Sequence, residues 1–177
     1  QSLLQCLKFV SIPLDEKKDD PQAIFESLND KGIPLSASEL LCNFLFKPLI
    51  DDRNNSHEML HIEKWLKSIK EVGGDDQFEY YLRNLFSIDQ KKMIGKGRRI
   101  YTFFKLNNKN LSKEQAHYYL NDISDCVKLF NHITNPIGNP HPNDDLNNVI
   151  IKIKQTNMDS STPFLMAILK AIKNQSI

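Results

Sequence analysis

Apolar residues recur along most of the chain at spacings of three and four, the period of an amphipathic helix. Met59, Ile62, Trp65, Leu66, Ile69 and Val72 make one such stripe, closed by Gly73-Gly74. Phe78, Tyr81, Leu82, Leu85 and Phe86 make the next, with Asp75 or Asp76 expected as its cap. Ile100, Tyr101, Phe103 and Phe104 follow a basic stretch. Ala116, Tyr119, Leu120, Ile123, Val127, Phe130 and Ile133 predict a long helix ending at Asn135-Pro136. Two capping boxes mark helix starts: Ser36-Ala-Ser-Glu39 before LLCNFLF, giving a helix from about Ala37 to Ile50, and Ser112-Lys-Glu-Gln115 before the long helix. Asp20-Pro21 opens a further helix carrying Ile24, Phe25 and Leu28, which stops at Asn29-Asp30-Lys31-Gly32.

Near the C-terminus, Leu146, Val149, Ile150 and Ile153 fit a helix, although the β-branched alternation of VIIKIK also suits a strand. Phe164, Leu165, Ile168, Leu169 and Ile172 predict a last helix facing inward. The segment before Leu146, residues 135–145, holds three prolines and a glycine and reads as a loop that could separate subregions.

One segment breaks the helical period. In residues 6–14, CLKFVSIPL, apolar positions occupy both parities, as in a short strand buried on both faces. The fold class expected is therefore mainly α: a bundle of about eight helices with one N-terminal strand. A lone strand cannot satisfy its own backbone groups. With Gln rather than Met at position 1, this leads to the expectation that its sheet lies largely outside the chain. Residues 1–50 would adjoin that core, and 51–177 would form a helical scaffold.

Composition narrows the picture. Forty per cent hydrophobic residues with 23 basic and 22 acidic side chains suit a folded domain and argue against disorder. The net charge of +1 gives no global pull toward nucleic acid. No apolar run is long enough for a membrane span, and no secretory signal is recognisable, so the expected location is cytoplasmic. Cys6, Cys42 and Cys126 are too widely spaced for a metal pair and read as small buried hydrophobes in a reducing compartment.

Candidate chemistry is sparse. No phosphate loop, dinucleotide fingerprint, HExxH or GxSxG occurs. His57 and His61 have an i, i+4 spacing but no third ligand, and read as a solvated helix end; His117, His132 and His141 read as isolated surface or capping residues. Two stretches remain. Asn29, Lys31 and Gly32 form either a plain helix stop or the wall of a ligand pocket completed elsewhere. Lys91, Lys92, Lys96, Arg98, Arg99 and Lys105 run without an intervening acid, with Tyr101, Phe103 and Phe104 among them. They form either a phosphate-binding stripe or a solvated face whose aromatics enter the core.

Asp20 to Phe46, DPQAIFESLNDKGIPLSASELLCNFLF, resembles the N-terminal domain family of GmrSD-type restriction endonucleases. The matching residues are Ile24, Phe25, Glu26, Leu28, Asn29, Gly32, Leu35, Glu39, Leu40, Asn43 and Leu45. The later order of a Trp helix, FEYYLRNLF, IYTFFK and a long helix ending near Asn-Pro also fits. The resemblance implies a ParB-like, sulfiredoxin-like α/β core with a DGQQR signature linked to nucleoside triphosphate hydrolysis, then a helical region, and in many members a C-terminal HNH-type nuclease. Such proteins cleave modified or marked phage DNA in bacterial defence. This chain has neither DGQQR nor an HNH pattern, so it is similar to the helical part alone. The implied partners are an upstream core and a downstream nuclease domain of one protein, with DNA. No cofactor is expected in this chain; NTP and a divalent metal would belong to the parent. The alternative expectation is a stand-alone helical module that binds protein or nucleic acid without catalysis.

Overall fold

A computed structural model describes residues 35–49, 56–88, 90 and 92–175, together with Ile24 and Ser27, both helical. The chain divides into two compact units, Gln1–Leu35 and Ser36–Ile177. The predicted strand over 6–14 and the Asn29–Gly32 loop lie outside the described residues.

Seven α-helices form among the described residues: α1 Ala37–Phe46, α2 Ser56–Val72, α3 Asp75–Ser87, α4 Arg98–Asn107, α5 Lys113–Thr134, α6 Asp144–Gln155 and α7 Thr162–Gln175. This is one fewer than predicted; the remaining one, near 21–28, lies almost wholly outside the described residues. Short 3-10 turns, Lys47–Leu49 and Asp159–Ser161, adjoin α1 and α7. No strand occurs among the described residues. VIIKIK is helical, set in register by Asn143, whose side chain accepts from the backbone N–H of Leu146.

Both capping boxes close as their spacing requires. Ser36 accepts from the N–H of Glu39, and the Glu39 carboxylate accepts from the N–H of Ser36. Ser112 and Gln115 make the same reciprocal pair. Asp75 and Asp76 are not caps. They lie inside the first turn of α3, and Gly74 takes the cap position at φ +106°, a conformation that L side chains rarely adopt.

The long helix α5 is the axis of the second unit. It packs against α2, α3, α6 and α7. Ala116, Leu120, Ile123, Val127, Phe130 and Ile133 are buried as predicted, joined by Cys126 and Leu129. Tyr81 lies at the centre, fully buried, and its hydroxyl donates to the Ile123 carbonyl in the middle of α5. That bond satisfies a polar group that would otherwise be stranded in the core. Around it Phe78, Phe130 and Trp65 meet in edge and tilted contacts at 5.0–5.8 Å. On the other side of the unit, Phe44 of α1 meets Tyr101 and Phe104 of α4 edge-on, each at 6.1 Å.

Two helices bury only part of the predicted stripe: Trp65 and Val72 on α2 and Leu165 and Leu169 on α7 face inward as predicted, and the rest of each stripe is not buried. On α2 the buried positions are His61, Trp65, Ser68 and Val72, while Met59, Ile62 and Leu66 are exposed. On α7, Leu165, Met166 and Leu169 are buried, while Phe164, Ile168 and Ile172 are exposed. In each case apolar residues span more of the helix circumference than one interface can cover. The interface is fixed by side chains that pack or pair.

Candidate nucleic-acid interface

The basic stretch becomes a loop and a helix start. Residues 92–97 connect α3 to α4, and α3 side chains hold the loop. Ser87 Oγ accepts from the N–H of Ile94 at 3.0 Å, and Arg83 Nε donates to the carbonyl of Ile94 at 2.7 Å. Ile94 itself is buried. Sequence spacing gave no signal for this clamp, because its polar partners lie seven and eleven residues away in the preceding helix.

Gly97 precedes α4 at φ +58° and supplies no side-chain cap. The first turn of α4 carries Arg98 and Arg99, both exposed, and no acid. This inverts the usual preference, since the N-terminal end of a helix carries partial positive charge and favours anions. Phosphate is the biological anion such a terminus suits, because backbone N–H groups and guanidinium groups bind its oxygens together.

The other predicted residues divide. Lys92 and Lys96 are exposed in the loop. Lys105 lies two turns along α4 on the same face as Arg98, half-buried, with Nζ 5.4 Å from the centroid of Tyr101. Lys91 lies outside the described residues, as do Asn29, Lys31 and Gly32. Tyr101 and Phe104 are buried core side chains, while Phe103 is half-buried.

Beside the loop is a cleft of about 180 Å³ lined by Asp76, Glu79, Tyr80, Arg83, Lys96 and Gly97, with Ile100 behind. Its charge is mixed. Glu79 is partly engaged, accepting from the N–H of Ala37 at 2.7 Å. The cationic character of the region therefore belongs to the outer face of α4, not to this cleft.

Four histidines meet in two pairs, while the side chain of His57 lies outside the described residues. His61 is buried, not part of a solvated end, and its Nε2 lies 2.8 Å from Nδ1 of His117. His132 and His141 meet edge-on at 5.2 Å; His132 Nδ1 donates to the Asn139 carbonyl, and His141 Nδ1 accepts from the N–H of Asn143. Among the described residues no group of three or more His, Cys, Asp or Glu side chains could hold a metal ion.

Cys42 and Cys126 are free thiols. Burial, with a smaller push from Glu39, raises Cys42 to about 11. Burial and then the Asp122 charge raise Cys126 to about 12. Neither is a nucleophile at neutral pH. No described helix is long and apolar enough to cross a membrane.

No family model, curated protein or solved structure matches this chain.

Proposed function

We propose that this chain is the helical portion of a bacterial DNA-restriction protein of the GmrSD type, without catalysis of its own, which holds DNA through the N-terminal end of α4. The family reading rests on the residues of Asp20–Phe46. The DNA reading is carried by one observation: Arg98 and Arg99 occupy the first turn of a helix that has no acid and no side-chain cap there. Lys96 precedes them and Lys105 continues the same face, so a phosphate at the helix end has further cations on either side. In the parent, an upstream core would hydrolyse NTP with a divalent metal, and this bundle would support it and carry DNA beside it.

The experiment is duplex binding by residues 1–177 at several salt concentrations, comparing wild type with K96E/R98E/R99E. Contacts to phosphate release counterions, so affinity should fall steeply with salt, and the triple variant should lose both affinity and much of that slope. Equal affinity of the two proteins at low salt removes the DNA reading. NTP hydrolysis by residues 1–177 alone removes the non-catalytic one.

A further inference from the structure

A second cleft lies between α4, the end of α3, and α5 and α7. It measures about 300 Å³, at the lower end of small-molecule sites. One wall is a chain of rings: Phe86 to Phe104 at 4.9 Å, Phe104 to Tyr119 at 4.8 Å, and Tyr119 to Tyr118 at 5.5 Å. Phe104 is fixed in the core. Tyr119 is fixed through its hydroxyl, which donates to Asn108 Oδ1 at 2.9 Å, while Asn108 Nδ2 donates to the Phe104 carbonyl. The outermost ring, Tyr118, is 60% exposed, so one of its faces is open to a stacking partner.

The polar groups of the cleft are also set. Lys170 Nζ grips Asp122 through both oxygens, at 2.6 and 2.8 Å, and the pair is only partly open to solvent. Oδ1 also accepts from the Cys126 thiol at 3.7 Å, while Oδ2 keeps a lone pair for another donor. Asn107 stands on the rim, with Nδ2 donating to the Phe103 carbonyl, so its carbonyl oxygen is available as an acceptor. Asp122 and Lys170 cancel, which leaves the cleft close to electrically neutral. It therefore suits an uncharged ligand better than an ion.

We propose that this cleft binds a nucleobase: a flat, uncharged ring that stacks on Tyr118 and presents its donor edge to Asp122 and Asn107. A π-face for stacking together with fixed hydrogen-bonding groups for the edge is the combination by which proteins hold unstacked bases. Free nucleosides and unpaired bases of a single strand share this chemistry. The strand source has support from α4, which turns Phe103 toward the cleft and Arg98 and Lys105 toward solvent. The proposal goes beyond the duplex contact described above and does not depend on it.

Adenosine, cytidine, guanosine and thymidine are titrated into residues 1–177 by NMR, and a single-stranded oligonucleotide and its duplex by fluorescence anisotropy. Wild type is compared with Tyr118→Ala and Asn107→Ala, both exposed positions, with unchanged melting temperature as the control for folding. Saturable nucleoside binding that Tyr118→Ala weakens about tenfold supports the cleft as a base site. Loss of single-strand affinity alone in that variant supports it with the strand as source. No nucleoside saturation, together with single-strand affinity unchanged in Tyr118→Ala, overturns it. K96E/R98E/R99E carries no change at the cleft and should leave nucleoside affinity intact, which separates failure of the cleft from failure of the basic helix end.

Discussion

His61 Nε2 and His117 Nδ1 stand 2.8 Å apart, so an imidazole–imidazole hydrogen bond joins α2 to α5, flanked by Lys64–Asn121 and Asn131–Glu71 bonds between the same helices. Such a bond needs a proton on one ring and a lone pair on the other. It explains why α2 turns His61, and not Met59 or Ile62, toward its neighbour.

Replacing His117 with Ala removes this bond from a buried His61. The expected cost is about 1–3 kcal/mol, the range for a buried polar group that loses a hydrogen bond. Urea denaturation reads it as a lower midpoint at constant slope; an unmoved midpoint would show that the bond contributes nothing.

Alkali should destabilise the protein before it reaches the usual tyrosine range. Below the ordinary thiol value near 9 both folded and unfolded chains keep their thiol protons, and stability does not depend on them. Above it the unfolded chain releases them, while folded Cys42 holds to about 11 and Cys126 to about 12. Stability present below pH 9 is thus lost as pH rises, on the order of 1 kcal/mol per pH unit for each thiol. Tyr81 extends the effect, since burial, then the charges of Cys126, Asp122 and Asp125, hold its hydroxyl protonated well above the usual value. Melting temperatures between pH 8 and 11 should fall more gently in Cys42→Ala; equal slopes would refute the account.

Asp122 and Lys170 should be coupled. For Lys170, burial lowers its affinity for a proton, but the hydrogen bond it donates to Asp122 and the charges nearby outweigh it and the net shift is upward. A double-mutant cycle with Asp122→Asn and Lys170→Met should give a coupling of about 1 kcal/mol, above the usual surface pair because both side chains are partly enclosed. A coupling indistinguishable from zero would mean the pair carries no energetic weight.

Ser36→Ala and Ser112→Ala each remove one arm of a capping box. Each should cost about 1 kcal/mol, while Ser→Asp at the same positions should cost little. Melting temperature checks both; a neutral Ser36→Ala would show that Glu39 alone satisfies that terminus.

What could be read from the sequence was local. Ser36–Glu39 and Ser112–Gln115 are bonded within three residues, so their pattern announced the helix starts. The stripe of α5 was legible because it is packed on several sides, and nearly every apolar residue in it found a neighbour. α2 and α7 were partly misread in facing because Met59, Leu66, Phe164 and Ile168 are apolar but outward, and only pairing across elements decides between faces. The basic stretch was legible as composition. Its inverted helix end and the aromatic cleft were not, since Tyr118, Asn107, Asp122 and Lys170 come from three helices. The pairing of His61 with His117, 56 residues apart, has no trace in spacing.

The clamp on Ile94 bears on how this surface would meet a ligand. Its N–H and its carbonyl are both taken by α3 side chains, so the loop carrying Lys96 is ordered as the chain folds. The entropy of fixing that backbone is then already lost before any anion arrives. Binding at the start of α4 should show a small heat-capacity change and a fast on-rate, as for a rigid surface. Loosening the clamp with Ser87→Ala would convert part of the binding free energy into the cost of ordering the loop.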